Sequence, residues 1–176
     1  MKSNTQPPKN ESLIIAIYAD DKKGLLAQIL MIFNRRNVVI YDLTVSRTDI
    51  QPIVLITIEV DLSHHEAQNI NHKIQNIIEV HKVFAYPGKD LKINKIALFK
   101  LSHNCRHSGL LPALQKYGAV ITEIHDDSFI VQKIGPENEL GELYRFLDGE
   151  FLVSYCKSSM VTSQSLIPLD VLFQEA

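Results

Sequence analysis

Residues 24–49 read GLLAQILMIFNRRNVVIYDLTVSRTD. The first part repeats apolar residues at helical spacing, and Asn37 follows as a residue that tolerates the left-handed conformation just past a helix end. From residue 39 to residue 45 every second side chain is apolar or aromatic, which is the period of a strand with one face on a core. The residues predicted on that face are Val39, Tyr41, Leu43 and Val45, and they alternate with Ile40, Asp42 and Thr44. The stretch therefore predicts a helix, a left-handed turn and a strand that begins at Val38.

The surrounding sequence extends this order on both sides. A compact apolar run precedes the helix, and a turn separates the strand from a second one, which favours an antiparallel hairpin. Ser63 and Glu66 have the spacing of a capping box and predict the start of a second helix, which the apolar spacing carries to Ile77. The predicted elements are strands 13–19, 38–47, 53–60 and 80–86, and helices beginning near Leu25 and after Ser63.

The same order recurs in the second half of the chain. Strands are predicted at 93–102, 120–125, 129–134 and 151–161, with helices at 110–117 and 139–147 between them. The fold class is therefore α+β, with two tandem ferredoxin-like βαββαβ domains built on antiparallel sheets. We expect a disordered lead at 1–11, a first domain at 12–87, a linker at 88–91, a second domain at 92–162 and a tail at 163–176.

Composition excludes several classes of function. The 176 residues include 18 basic and 20 acidic side chains, so the strongly basic surface of a nucleic-acid-binding domain is absent. The longest apolar stretch is far shorter than the roughly 20 residues that a membrane-spanning helix needs. Two cysteines cannot form a disulfide framework, which favours a reducing cytoplasm. We expect a cytoplasmic protein that binds neither nucleic acid nor membranes.

Both faces of the predicted sheets carry apolar side chains. Ile53 and Leu55 point away from the face that holds Val54, Ile56 and Ile58, because successive side chains in a strand point to opposite sides. Two helices can cover only one face of a four-stranded sheet. The other face or the sheet edge must therefore find a partner, and we expect the chain to form a homodimer.

The loop between the first strand and the first helix has the chemistry of a binding site. Backbone N–H groups at Lys23, Gly24 and Leu25 would face a ligand carboxylate at a helix N-terminus, and Asp21 would attract an ammonium group. Together these groups suit a zwitterionic amino acid. The alternative is purely structural: Asp20 and Asp21 cap the helix, and Gly24 allows close packing.

The same stretch resembles the ACT domain of acetolactate synthase small subunits, which are regulatory. The resemblance rests on the helix Gly24–Ile29, on the Arg35-Arg36 turn that follows, and on the Ile40-x-x-Leu43-Thr44-Val45 strand with Thr48-Asp49 after it. It covers residues 13–161, and it is strongest between residues 24 and 49.

The resemblance implies that two ACT domains pair and that a branched-chain amino acid, usually valine, binds at their interface. Its contacts fall here on the loop Asp21, Lys22, Lys23, Gly24 and Leu25, and on Val39 and Ile40 at the start of the second strand. The chain itself would be non-catalytic and would activate a separate catalytic subunit. Thiamine diphosphate, magnesium and FAD would belong to that subunit, and this chain would hold no cofactor.

The chain departs from the family pattern at Val39, where the family usually has an asparagine. A valine side chain cannot supply the amide hydrogen bond, which is worth about 1 kcal/mol net. We therefore expect the response to valine to be weakened, absent or directed to another effector.

Two alternatives stay open. The first is a free-standing tandem-ACT sensor that binds a small ligand and controls another protein. The second is a metal-binding protein that uses His103, Cys105 and His107, although no fourth ligand is evident and the spacing matches no zinc finger. The chain lacks a glycine-rich phosphate loop and a nucleophile elbow, so catalysis by the chain alone is not expected.

Overall fold

The computed structural model describes residues 10–104 and 109–162, without the side chains of 159–162. It divides the chain into two compact units, with the boundary between Leu91 and Lys92. The elements of the first unit are β1 (Glu11–Asp20), α1 (Leu25–Asn34), β2 (Ile40–Arg47), β3 (Ile53–Leu62), α2 (His64–Gln75) and β4 (Val80–Pro87). Those of the second are β5 (Ile93–Ser102), α3 (Leu110–Lys116), β6 (Val120–Ile124), β7 (Ser128–Gly135), α4 (Glu137–Leu147) and β8 (Leu152–Thr162).

Each unit forms one antiparallel sheet of four strands. The strand order is β2-β3-β1-β4 in the first unit and β6-β7-β5-β8 in the second. Because the first strand of each unit lies between the third and the fourth, both units have the predicted βαββαβ topology. The predicted fold class is confirmed. No helix in the described ranges is both long and apolar enough to cross a membrane.

The core of the first unit lies between its two helices and the inner strands. Leu25, Ile29 and Phe33 from α1 meet Ile70 and Ile74 from α2 over side chains of β1 and β3. The side chains of Ile29, Phe33, Ile70 and Ile74 are fully buried. A second apolar cluster of Tyr18, Ile53, Leu55 and Phe84 involves the opposite set of strand side chains, as the alternation in β3 predicts.

The start of β2 differs from the prediction. Tyr41 is an extra residue between the pairs Ile40–Val60 and Asp42–Glu59, which is a β-bulge. The bulge shifts the alternation, so Ile40 and Leu43 pack on the core, whereas Val39 and Tyr41 are 63% and 60% exposed. The predicted core positions of Val39 and Tyr41 were therefore wrong. The Asp61 carboxylate near the Tyr41 hydroxyl raises the pKa of the phenol above its ordinary value.

Several predicted turns and caps are confirmed. Asn37 has φ 52° after α1, and Gly118 has φ 62° at the same place after α3. The Ser63 hydroxyl accepts a hydrogen bond from the Glu66 backbone N–H, and the Glu66 carboxylate accepts one from the Ser63 backbone N–H. This capping box satisfies two backbone groups that a helix start would otherwise leave unpaired.

Several predicted boundaries change. β1 begins at Glu11, inside the predicted lead, and β2 begins at Ile40 rather than Val38. Helix α2 ends at Gln75, although Ile77 beyond it is buried in the same core. Residues 88–90 of the predicted linker form a short 3₁₀ turn against β1, where a Cβ at Gly88 would lie 2.9 Å from Ser12 Oγ. The first nine residues and the predicted tail lie outside the described residues.

The second unit has a smaller core, and an ion pair lies at its edge. Phe99, Leu101, Val131, Leu140 and Leu143 are fully buried at its centre. The next core-facing position of β7 after Val131 is Lys133, whose side chain is 10% exposed. Its ammonium lies 2.7 Å from Glu139 Oε2 on α4. A lysine can occupy this position because a carboxylate from the covering helix compensates its charge.

Candidate functional site

The loop between β1 and α1 is held in one conformation by its backbone. Gly24 has φ 86°, a left-handed conformation in which a non-glycine residue is strained, although a Cβ there would touch nothing within 4 Å. The Asp21 N–H donates to the Pro52 carbonyl at 2.7 Å. The Leu25 N–H donates to the Lys22 carbonyl at 3.2 Å, so this predicted donor is occupied within the loop.

Two polar pairs connect the end of β1 and the loop after it to the turn between α2 and β4 and to the start of β4. Lys22 Nζ donates to the Glu79 carboxylate, and His81 Nε2 lies 2.8 Å from Asp20 Oδ1. The hydrogen bond between Lys22 and Glu79 raises the pKa of Lys22 above its ordinary value and lowers the pKa of Glu79. The helix begins after Gly24 without a side-chain cap, so the alternative in which Asp20 and Asp21 cap it does not hold.

Glu79 and His81 were missed by the sequence analysis. Glu79 is 57 residues from Lys22, and His81 is 61 residues from Asp20. No local spacing rule connects residues so far apart. Because Glu79 contacts Lys22, the Lys22 ammonium already has a carboxylate partner within the chain.

Val39 and Ile40 lie far from the loop within one chain. Ile40 pairs with Val60, and Val60 pairs with Leu13 at the beginning of β1. The loop instead follows Asp20, seven residues further along the same strand. At about 3.3 Å per residue, the two groups are separated by roughly 23 Å along the sheet. The structure thus brings residues 21–25 together and leaves residues 39–40 at the opposite end.

A cleft opens beside the loop at the same end of the sheet. Its walls are formed by Asp21 on one side and by Arg47, Thr48 and Gln51 of the β2–β3 hairpin. Pro52, Ile53 and Val54 also line it. The Thr48 hydroxyl donates to the Ile53 carbonyl at 2.9 Å and accepts the Ile50 N–H at 3.2 Å, which fixes the hairpin. Arg47 was missed, although a basic residue at the end of β2 was a usable signal.

The proposed metal loop is only partly described. His103 Nε2 lies 3.1 Å from the Ser128 carbonyl oxygen, and its ring lies 5.8 Å from the Phe129 ring. Cys105 and His107 lie outside the described residues. Within residues 10–104 and 109–162, no three His, Cys, Asp or Glu side chains are grouped so that they could hold a metal ion.

Comparison with known proteins finds relatives over most of the chain. No family model matches. The chain is 24% identical over 156 residues to the acetolactate synthase small subunit of Mycobacterium bovis, covering 88% of this chain and 92% of that protein. It is 22% identical over 149 residues to the small subunit of Mycolicibacterium smegmatis, covering 84% and 88%. A probable small subunit of Archaeoglobus fulgidus is 25% identical over 127 residues, covering 72% and 79%.

The fold is also found among solved structures. The crystal structure of the acetolactate synthase small subunit from Thermotoga maritima aligns with a TM-score of 0.77 at 16% sequence identity. The alignment covers 86% of this chain and 95% of that one. This chain therefore shares its fold with that protein.

Proposed function

Because the chain is homologous to acetolactate synthase small subunits, we propose that it is a regulatory subunit of that enzyme in branched-chain amino-acid synthesis. It assembles with a separate catalytic subunit in the cytoplasm, raises the activity of that subunit and senses an amino-acid effector. The observation that carries this proposal is the extent of the likeness, which spans 88% of this chain and 92% of a relative of that name.

The catalytic chemistry is assigned to the partner subunit in this proposal. Thiamine diphosphate, magnesium and FAD would be bound there, and this chain would contribute no reacting group. The effector would bind near the β1–α1 loop, whose conformation is fixed by Gly24 and by the pairs with Glu79 and His81.

We further propose that two copies of the chain pair through β2. This strand is an outer strand of its sheet, and its Tyr41 and Val45 side chains are exposed, as is Val39 just before it. If two β2 strands pair antiparallel, the beginning of each lies beside the end of the other. Residues 39–40 of one copy then approach Arg47 and the adjacent loop of its partner. This explains why the predicted effector contacts are separated within one chain.

The valine response is proposed to be weak. Val39 is exposed and offers only an apolar surface to such an interface. Calorimetry of the full chain with valine, leucine and isoleucine tests this proposal. Micromolar binding of valine at the interface would contradict it.

The function is tested by mixing the full chain with the catalytic subunit from the same organism, without added amino acid. We expect acetolactate formation to rise and the two chains to elute together from a sizing column. A rate that does not change, with no complex on the column, would contradict the proposal and favour the free-standing sensor.

Replacing Val45 with glutamate should convert the dimer to a monomer in sedimentation velocity. A register that brings residues 39–40 beside Arg47 places the new carboxylate opposite residues 41–42, close to the like charge of Asp42. Val45 is 47% exposed, so the fold should survive the change. Val153→Glu, at a position 58% exposed in the second unit, is the matched control and should leave the dimer intact. A Val45→Glu chain that still sediments as a dimer would exclude β2 as the interface.

A further inference from the structure

One face of the first sheet carries neither α1 nor α2. The two helices pack on the side to which Ile15 and Ile17 of β1 point. The intervening side chains of each strand point the other way, because neighbours along a strand alternate between faces. They form a surface here called the helix-free face, which includes Ile14, Ala16, Tyr18, Ile53, Leu55 and Phe84.

The helix-free face of the first sheet is nevertheless buried. Ile14 is 0% exposed, and Ala16 and Tyr18 are each 2% exposed. Ile53 and Thr57, on the neighbouring strand and the same face, are both 6% exposed. A side chain in a central strand has neighbours on both sides within the sheet but none above it. Exposure close to zero therefore requires a further layer on this face.

The second sheet shows the same face without such a layer. Its strand β5 holds the place of β1, between the third and the fourth strand of the unit. Leu98 points away from the helices, because Ala97 and Phe99 on either side of it belong to the core. Leu98 is 37% exposed, and Ile134 on the same face of β7 is 55% exposed. The topology by itself therefore does not bury a helix-free face.

Polar groups on the helix-free face of the first sheet are withdrawn from solvent too. Thr44 of β2 pairs with Thr57, and its hydroxyl oxygen is enclosed without a hydrogen-bond partner among the described residues. At the other side of the sheet, burial raises the pKa of the Tyr86 phenol above its ordinary value, and the nearby Tyr18 adds to this effect. The burial thus extends across the sheet from β2 to β4.

Residues 163–176 have the composition that such a layer needs. The segment reads SQSLIPLDVLFQEA. Its large apolar residues are Leu166, Ile167, Leu169, Val171, Leu172 and Phe173. The other segments outside the described residues are 1–9, MKSNTQPPK, and 105–108, CRHS, and they contain no apolar side chains except Met1 and Cys105. An apolar cover from these segments can therefore come only from residues 163–176.

The segment also begins at a suitable place and is long enough. Thr162, the last residue of β8, pairs with Ile93, which follows the linker by two residues. The linker ends at Leu91, whose N–H donates to the Gly88 carbonyl, and Gly88 lies against Ser12 of β1. At about 3.3 Å per residue, the segment can extend over roughly 46 Å, whereas the ten residues of β1 span roughly 33 Å.

We propose that residues 163–176 pack their apolar side chains on the helix-free face of the first sheet and form a third layer there. The occupant belongs to the same chain, because the face is buried in a single copy. The inference goes beyond the proposed function and does not rest on it. It gives the two unpartnered surfaces of the first unit separate roles, since the face is filled by the chain itself and the β2 edge remains for a second copy.

The test is hydroxyl-radical footprinting of the full chain and of a chain that ends at Thr162. We expect the oxidation rate of Tyr18 to rise about fivefold or more in the shortened chain, because its exposure would rise from 2% toward the 37% of Leu98. A chain that begins at Asn10 is the matched control and should keep Tyr18 protected. Tyr144 of α4 is the internal reference, and its oxidation rate should stay the same in all three chains.

A second variant keeps the full length, so that loss of the fold on shortening cannot obscure the result. The double substitution Leu169→Asp and Leu172→Asp places two charges in the segment and should expose Tyr18 to a similar degree. Gln164→Asp with Gln174→Asp adds the same charges at polar positions and should leave Tyr18 protected. Circular dichroism checks that both variants are folded. Adding the synthetic peptide 163–176 to the shortened chain should restore the protection.

Two results would overturn the proposal. The first is an unchanged oxidation rate of Tyr18 in the folded Leu169→Asp, Leu172→Asp chain. The second is protection of Tyr18 that disappears when the full chain is diluted until it is a monomer in sedimentation velocity, which would assign the helix-free face to a second copy. These measurements involve neither the catalytic subunit nor an amino acid, so their outcome is independent of the test of the regulatory function.

Discussion

Replacing Phe33 with alanine is expected to lower the free energy of unfolding of the first unit by about 3–5 kcal/mol. Phe33 is fully buried in the last turn of α1, and it packs in the cluster that joins both helices to the sheet. Alanine would remove most of the ring and leave a cavity that fixed neighbours cannot fill. Since a domain is stable by about 5–15 kcal/mol, the loss would leave the unit close to its unfolding threshold.

Hydrogen exchange of the β1 amides measures this effect within the first unit, and urea unfolding followed by circular dichroism measures it for the chain. Met31→Ala is the matched control, because Met31 lies on the same helix and is 50% exposed. Met31→Ala should lower the free energy of unfolding much less than Phe33→Ala. A loss below about 1 kcal/mol for Phe33→Ala would contradict the described packing of α1 on the sheet.

The pair of Lys133 and Glu139 is expected to respond asymmetrically to substitution. Glu139→Gln should destabilise the second unit by about 1–3 kcal/mol, because the enclosed Lys133 ammonium would lose its charged partner. Lys133→Met should be nearly neutral, because an apolar side chain of similar length would replace the lysine at a core-facing position. Gly135 lies close beside the pair, since a Cβ there would come within 3.0 Å of Glu139 Oε2.

Urea unfolding of the two single variants and of the double variant gives the interaction energy directly. When Lys133→Met is already present, adding Glu139→Gln should lower the free energy of unfolding only slightly, because no buried ammonium then needs a carboxylate partner. Glu142→Gln on the same helix removes an exposed carboxylate for comparison and should have little effect. Equal losses for Glu139→Gln and Lys133→Met would show that the lysine stabilises the unit by more than its burial costs.

The spacing of apolar residues and the capping signals along the sequence were sufficient to predict the fold. The change from helical spacing to alternation between Gly24 and Asp49 predicted α1 and β2, and Ser63 with Glu66 predicted the start of α2. These signals act over a few residues, where backbone geometry dictates which side chains share a face. The second copy of the same order predicted the second sheet.

The predictions that were wrong or missing concern features that depend on contacts between residues distant in the sequence. One extra residue at Tyr41 reverses the side-chain alternation of β2, and nothing in the sequence around it distinguishes a bulge from a regular strand. Asp20 lies beside His81, a residue 61 positions away, and does not cap α1 as the structural alternative had it. Arg47 became a candidate only when the sheet register placed the end of β2 beside the β1–α1 loop.

The bulge would also limit how many copies associate, if the chain pairs through β2 as proposed above. Pairing through β2 uses the same edge of both copies, so each contact consumes the edges that made it and the assembly closes at two. A contact from β2 of one copy to β4 of the next would instead leave an open strand at each end and could grow into a filament. An interruption at Tyr41 shortens the regular part of the β2 edge, and short or bulged edges are poor templates for such growth. In the proposed dimer, one irregular residue would therefore help to keep a chain with exposed apolar strands in a finite assembly.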